Sequence, residues 1–185
     1  MTTAAEAPRL PFAQPLTRAD LERAPDDGHR YELIDGSLIV TPGPMSSHQG
    51  AAGELYSLLK EGCPSDLRVY FAPFDVELAE DTVLKPDLLV TRRADVRERG
   101  IAVAPLLAVE VLSPSTRRFD LVLKRSRYEA AGCPSYWVVD PDEPSIVAWE
   151  LRDGSYVEVG RASGEESLAL TAPFRVEVVP VRLLD

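Results

Sequence analysis

KPDLLV at residues 85–90 and LAVEVL at residues 107–112 are the two stretches that decide the fold. Each is a run of mainly aliphatic residues with one carboxylate, Asp87 near the start of the first and Glu110 near the end of the second. Short aliphatic runs bounded by proline or polar residues are typical of buried β-strands. Because a carboxylate is costly to bury unless it is paired or binds a metal ion, both acids are expected to have a specific partner.

The chain before these stretches predicts two helices and a hairpin. Thr17 and Asp20 mark the start of a short first helix. The dipeptide at residues 35–36, Asp-Gly, separates two extended runs and predicts a β-hairpin. After a Pro- and Gly-rich break, Ser46 or Ser47 is expected to cap a second helix.

The rest of the chain predicts mainly strands, and the order of elements indicates the fold class. The predicted strands are 67–71, 74–78, 83–91, 106–112 and 136–139, followed by a hairpin at 146–151 and 156–159, with a helix at 117–131. This order predicts an α/β fold with a central mixed β-sheet flanked by helices. Residues 1–16, rich in Ala and Pro, are expected to form a flexible arm, and 17–185 a single domain with an edge strand in its tail.

Composition restricts the function classes. The net charge of -10 argues against nucleic-acid binding through the whole surface, although five cations cluster between Arg117 and Arg127. No apolar run approaches the ~20 residues of a membrane helix, and the first residues lack signal-peptide features, so a cytoplasmic protein without membrane contact is expected. Cys63 and Cys133 form no CxxC pair and are expected to be reduced thiols rather than zinc ligands.

The two embedded acids suggest a metal site. If the ends of the two strands lie close together, the carboxylates of Asp87 and Glu110 converge. They would then form a hard-oxygen site suited to Mg²⁺ or Mn²⁺. Such an ion activates water and stabilises charge on a phosphate. Helical spacing places Asp120, Lys124 and Tyr128 on one face of the following helix. Lys124 could therefore point back to the acids, orient the attacking water or neutralise a developing phosphorane.

Several motifs together resemble those of a known family. They are Pro86-Asp87, the run EVLSPST at 110–116, Asp120, Lys124, Tyr128, Gly132 and YWVVDP at 136–141, with YELIDG at 31–36 and His48 nearer the N-terminus. This pattern resembles the Uma-type family of restriction endonuclease-like proteins, which belongs to the PD-(D/E)XK nuclease superfamily. The resemblance spans roughly residues 17–160.

The resemblance implies a restriction-endonuclease-like core that follows an N-terminal helix and hairpin. It implies an endonuclease that hydrolyses phosphodiester bonds of DNA with Mg²⁺ or Mn²⁺ as cofactor. Asp87 and Glu110 would be metal ligands, with the backbone carbonyl of Val111 as a further oxygen. Glu32 would approach the same metal, and Lys124 would be the catalytic lysine.

The sequence departs from the superfamily motif at one position. Two residues after Glu110, where the E-x-K motif has lysine, this chain has Leu112, and the resemblance implies that Lys124 takes over that role. Further candidates for substrate contacts are His48, Asp120, Arg117, Arg118 and Tyr128. The acidic surface is compatible with a restricted substrate, a basic partner or a homodimer that builds a positive groove.

Other interpretations stay open from the sequence. Asp120 and Lys124 could form an ordinary exposed helix pair, Glu32 could be a plain hairpin acid, and His48 could lie on the surface near a helix start. The protein could be a catalytically inactive nuclease-fold domain used for binding or interaction. Asp87 and Glu110 could also act as a paired general acid and base, as in a glycosidase, but no aromatic sugar platform accompanies them.

Overall fold

The computed structural model of the chain describes residues 14–184. Residues 1–13, most of the predicted arm, and Asp185 lie outside the described residues. Leu16, at the end of that arm, is buried, and its N–H donates to the carbonyl of Gly36 at 2.9 Å. Among residues 14–184, none of the helices has the length and apolar character of a membrane-spanning segment.

The N-terminal half begins as the sequence predicts. Helix α1 (Arg18–Leu21) is followed by the antiparallel strands β1 (Arg30–Ile34) and β2 (Ser37–Thr41), joined by the predicted Asp-Gly turn. Both turn residues have a positive φ, which glycine and aspartate tolerate better than most residues. Helix α2 (Ser46–Gly62) begins one residue early, with Met45 as N-cap, so neither predicted serine caps it.

The remaining elements are mostly strands. They are β3 (Leu67–Phe71), β4 (Asp75–Ala79), β5 (Thr82–Leu84), β6 (Leu88–Arg92), β7 (Gly100–Ile101), β8 (Leu107–Val111), β9 (Ser135–Asp140), β10 (Ser145–Arg152), β11 (Ser155–Ser163), β12 (Leu168–Leu170) and β13 (Val176–Val178). A π-helical turn (Phe119–Lys124) leads into α3 (Arg125–Ala130), and short 3-10 turns occupy Arg93–Asp95 and Pro180–Leu184.

The strands form two main sheets and a small one. The six-stranded sheet has the order β11-β10-β9-β8-β6-β3, and the five-stranded sheet has the order β2-β1-β5-β4-β7. In the larger sheet, β8 and β9 are parallel and the other neighbours are antiparallel. The predicted α/β architecture with a central mixed sheet is therefore confirmed.

One predicted strand, 83–91, is wrong as a single element. It is divided into β5, which belongs to the five-stranded sheet, and β6, which belongs to the six-stranded sheet. The residues between them are Lys85, Pro86 and Asp87. Proline has no N–H to donate to a strand ladder, so the pairing is interrupted there and the chain crosses from one sheet to the other. This crossing places Asp87 immediately before β6, between the two sheets.

The tail and the last helix also differ from expectation. Instead of extending a main sheet, β12 and β13 pair with each other, and their apolar residues are buried in the core cluster that contains α2. The helix predicted over 117–131 begins as the π-helical turn, a wider turn that is frequent at functional sites. Gly132, with φ of 78°, ends it as expected.

The six-stranded sheet has a different core on each face. Side chains alternate along a strand, so Val109 and Val111 face the cluster built on α2. Ala108 and Leu112 face the opposite cluster, which contains Tyr128 of α3 and residues of the five-stranded sheet. Glu110 has the same parity as Ala108 and Leu112, so it points toward α3 and the smaller sheet. Both tryptophans, at 137 and 149, are buried in the core, as predicted.

Candidate functional site

Asp87 and Glu110 point to the same side of the six-stranded sheet. Leu88 of β6 pairs with Val109 of β8, and continuing this antiparallel register by one residue sets Asp87 opposite Glu110. Cross-strand neighbours project from the same face of a sheet. Both carboxylates line one cavity of about 230 Å³, and their exposed fractions are 4% and 1%.

Three donors hold the carboxylate of Asp87. Its Oδ2 accepts hydrogen bonds from Nε2 of His48 at 3.0 Å and from the N–H of Val111 at 2.9 Å. Its Oδ1 accepts a hydrogen bond from Nη1 of Arg30 at 2.7 Å. Burial opposes ionisation of Asp87, but the hydrogen bond from His48 and the charge of Arg30 outweigh it and lower the pKa to about 2. Asp87 is therefore a fixed carboxylate at neutral pH.

Lys124 lies in the centre of the acid cluster. Its Nζ is 2.9 Å from Oε2 of Glu32, 3.3 Å from Oε2 of Glu110 and 3.4 Å from Oδ1 of Asp120. Its exposed fraction is 2%, so the interpretation of an exposed helix pair with Asp120 is wrong. Burial lowers the pKa of Lys124, but the surrounding carboxylates outweigh it and raise the pKa well above its ordinary value. The amine is thus a buried ammonium.

Glu32 belongs to the same site, although it comes from the other sheet. Its Oε1 accepts a hydrogen bond from the N–H of Lys85 at 2.7 Å, while its Oε2 meets Lys124. It is buried, so the interpretation of a plain, solvated hairpin acid is wrong. The site is therefore formed where β1 of the smaller sheet meets the end of β8 and the π-helical turn.

The cluster contains more negative than positive groups. Its four carboxylates belong to Glu32, Asp87, Glu110 and Asp120, whereas Arg30 and Lys124 supply two permanent cations. Burial raises the pKa of Glu110 well above its usual value and also raises that of Asp120, against the opposing charge of Lys124. Oε1 of Glu110 and Oδ1 of Asp120 are buried without a hydrogen-bond partner among residues 14–184. With all four acids ionised, the cluster lacks two positive charges.

Of the other predicted contact residues, some lie in the cavity and some do not. His48 is buried against Asp87, so its interpretation as a surface residue is wrong. Arg117 and Arg118 are exposed, and Arg117 pairs with Asp140 at the end of β9. Tyr128 is fully buried beneath the cluster, and its hydroxyl has no hydrogen-bond partner in the described segment.

Arg30 is the site residue that sequence reasoning missed. It lies in β1 two residues before Glu32, and alternation along a strand puts both side chains on one face. Once Glu32 was a candidate, this spacing was the signal that could have identified Arg30. Its hydrogen bond to Asp87 then required the contact between the two sheets, which the sequence does not show.

Val111 contributes to the site through its backbone. Its N–H points to Asp87, and in an antiparallel pair the N–H and C=O of one residue face the same neighbouring strand. Its carbonyl therefore faces the same edge of β8. The role of that carbonyl as a metal ligand stays a prediction.

The residues present fit a divalent cation in their chemistry. Carboxylate oxygens are the ligands that Mg²⁺ and Mn²⁺ prefer, and the unpartnered Oε1 of Glu110 is such an oxygen. The two positive charges that the cluster would lack with all four acids ionised equal the charge of one such ion. Within the described residues, however, no three His, Cys, Asp or Glu side chains are grouped as a ready metal-binding cluster. Arg30 and Lys124 offset two of the four negative charges that fully ionised acids would carry.

Comparison with known proteins agrees with this architecture. A crystal structure described as a putative nuclease belonging to DUF820 from Anabaena variabilis ATCC 29413 is similar, with a TM-score of 0.68. The two chains are 19% identical, and the match covers 84% of this chain and 89% of that chain, so it shows a shared fold. No curated protein matches the chain. A family model, "Uma2: Putative restriction endonuclease", matches residues 18–182, and the protein therefore belongs to the Uma2 family.

Proposed function

We propose that this protein is an endonuclease that hydrolyses phosphodiester bonds of DNA and depends on a divalent cation, Mg²⁺ or Mn²⁺. The observation that carries the proposal is the buried cluster of four carboxylates with only two permanent cations. Burial raises the pKa of Glu110 and Asp120, so keeping all four acids ionised requires a further cation, and the cluster therefore favours cation binding. Membership of the Uma2 family and the nuclease fold support the same class of reaction.

Asp87 and Glu110 would hold the ion, with Glu32 as an approaching acid and the carbonyl of Val111 as a further ligand. A bound divalent cation lowers the pKa of water and stabilises the charge that develops on a phosphate. The low pKa of Asp87, about 2, keeps this carboxylate available as a ligand at any physiological pH. The unpartnered Oε1 of Glu110 leaves a second oxygen available.

The remaining side chains would position the reacting groups and neutralise negative charge. Lys124 is held by three carboxylates at the floor of the cavity, where its ammonium would orient the attacking water or offset charge on the phosphorane. His48 would fix the orientation of Asp87 through Nε2. Arg30, at the cavity wall, is the cation nearest to solvent and would meet an incoming phosphate.

Plasmid nicking tests the proposal. The wild-type protein would be assayed with Mg²⁺, with Mn²⁺ and with EDTA, beside Asp87→Asn and Glu110→Gln, which keep shape and remove charge. We expect cutting that needs the cation and falls at least about a hundredfold in either variant. Asp153→Asn, at an exposed hairpin turn, is the matched control and should cut like wild type. Equal cutting by Glu110→Gln and wild type would remove the catalytic claim.

One observation favours an alternative, a catalytically inactive nuclease-fold protein that binds or interacts. Both oxygens of Asp87 already accept hydrogen bonds, from Arg30, His48 and Val111. If these contacts replaced the metal permanently, the protein would keep the fold without the reaction. Isothermal titration with Mn²⁺ separates the two functions. The alternative requires that neither wild type nor Asp87→Ala binds Mn²⁺, whereas the nuclease proposal requires binding that Asp87→Ala loses.

A further inference from the structure

A second cavity opens directly beside the carboxylate site. Its volume is about 320 Å³, and it shares Arg30, His48 and Asp87 with the wall of the first. A third cavity of about 360 Å³ continues from it along the edge of the six-stranded sheet and shares Tyr56 and Phe71 with the second. The three cavities are therefore neighbours in a row that begins at the acids, and we call this row the path.

Aromatic rings line this path beyond the acids. We name its outer part the aromatic groove. It is lined by Tyr56 and Phe71 on the α2 side of the edge strand β3 and by Tyr70 and Phe74 on the opposite side, with Lys60 and Arg68 beside them. Its rings pack in two pairs, Tyr56 edge-to-face with Phe71 at 5.1 Å and Tyr70 stacked on Phe74 at 4.2 Å.

Phe71 presents its ring to solvent beside these cavities. It ends β3, the edge strand of its sheet, and 59% of it is exposed. An exposed aromatic ring beside a functional cavity is available to contact a ligand that enters the cavity. Tyr56 supports the ring from one side, which fixes its orientation while leaving it accessible. The ring is thus a fixed, open stacking surface.

The charges of the groove are opposite to those of the whole chain. Lys60 is exposed and Arg68 half-buried, and neither forms an ion pair with any carboxylate in the part of the chain that the structure describes. Arg30 lies where the groove meets the acid site. In a protein of net charge -10, Lys60 and Arg68 in the groove and Arg30 beside the candidate site favour an anionic chain as occupant.

We propose that the aromatic groove binds unpaired bases of a single-stranded nucleic acid whose backbone continues into the carboxylate site. This inference rests on the proposed function and specifies its substrate class. Aromatic rings combined with a basic path are the features by which proteins bind single strands, since every base offers a π-face for stacking. In an intact duplex those faces are already stacked on neighbouring pairs, so Phe71 could reach only an unpaired or extruded base.

Fluorescence anisotropy tests the inference without any cleavage. The probes are a labelled thymidine strand of about 12 nucleotides, an abasic strand of equal length and charge, and the matching duplex, each measured in EDTA and again with Ca²⁺. We expect the thymidine strand to bind wild type roughly tenfold more tightly than the abasic strand or the duplex. Phe71→Ala should lose this preference and bind the thymidine and abasic strands within about twofold of each other.

Val157→Ala is the matched control, because Val157 is also an exposed apolar residue but lies on β11, at the opposite edge of the same sheet. It should keep the wild-type preference. Equal affinity of wild type for the thymidine and abasic strands would overturn the inference while leaving the nuclease proposal intact. A wild-type dimer that becomes a monomer in Phe71→Ala, measured by sedimentation, would also overturn it by assigning the groove to a second copy. If wild type binds none of the three probes and also does not nick plasmid DNA, the proposed function itself is refuted.

Discussion

Nζ of Lys124 lies 2.9 Å from Oε2 of Glu32, and this contact joins two parts of the fold that share no strand pairing. Glu32 belongs to β1 of the five-stranded sheet, whereas Lys124 ends the π-helical turn that follows β8 of the six-stranded sheet. The ion pair is almost fully buried on both sides. It therefore links the stability of the sheet packing to the charge balance of the candidate site.

Replacing Lys124 by methionine should destabilise the protein in metal-free buffer. The substitution keeps the length of the side chain but leaves three buried carboxylates without their cation, a loss of about 3–5 kcal/mol in the free energy of unfolding. Urea unfolding monitored by circular dichroism measures it. Lys60→Met, at an exposed position, should change stability by less than ~0.5 kcal/mol. If the urea midpoint of Lys124→Met equalled that of wild type, the acids would not be ionised around the amine.

Replacing Arg30 by glutamine should strengthen metal binding. Arg30 donates to Oδ1 of Asp87 at 2.7 Å and so competes for an oxygen that a metal ion would use. Removing a charge-assisted hydrogen bond of ~1.5 kcal/mol should raise the affinity for Mn²⁺ roughly tenfold in isothermal titration. Arg92→Gln, at an exposed residue with only a 4.0 Å contact to Asp95, should leave the affinity unchanged. Weaker binding by Arg30→Gln would mean that Arg30 orients Asp87 for the metal rather than competing with it.

The two cysteines should differ in reactivity in the native protein. Burial raises the pKa of Cys133 to about 12, and because the thiolate is the reactive form, this thiol should resist modification at pH 8. Cys63 is partly exposed at the end of α2, so it should react with iodoacetamide, although burial raises its pKa as well. Mass spectrometry should show one modified thiol in the native state and two in urea. The folded Cys63→Ser variant, whose remaining thiol is Cys133, should not be modified. Modification of Cys133 in this variant would contradict the packing around β9.

Two glycines should respond to alanine with opposite signs. Gly100 has φ of 146°, and a Cβ there would lie 2.1 Å from the carbonyl oxygen of Asp75, at the pairing of β4 and β7. Gly100→Ala should therefore lower the free energy of unfolding by about 2–3 kcal/mol. Gly53 lies in α2 with open space around its Cβ position, so Gly53→Ala should raise stability by up to ~1 kcal/mol. Urea unfolding of both variants measures the difference, and loss of stability in Gly53→Ala would contradict the helix environment described here.

The sequence identified the metal-binding candidates because a buried acid is visible as a single charged residue within an aliphatic run. Asp87 and Glu110 interrupt aliphatic strands, and Lys124 follows Asp120 at helical spacing, so local periodicity was enough to select them. The structure brings all four to one cavity. Whether they bind a metal and catalyse hydrolysis stays a prediction, as do the role of Val111 and the homodimer.

Other parts of the site had no comparable signal. The partner of Arg30 is 57 residues away in the chain and that of His48 is 39 residues away, so neither hydrogen bond leaves a local trace. The exposure of Phe71 depends on β3 being an edge strand, which is a property of sheet order. The division of 83–91 into two strands depends on the chain passing at Pro86 from one sheet to the other, which local sequence does not show.

By itself, the sequence determined the family, the elements and the acids, because hydrophobic periodicity, turn residues and embedded charges are local properties of the chain. The tertiary structure decided which charges meet. Only the packing of β1 against the end of β8 brings Glu32 and Arg30 to Lys124 and Asp87, and only burial makes their charge balance significant. Electrostatic energy depends on distance and on exclusion of water, and both are fixed only when the two sheets pack together.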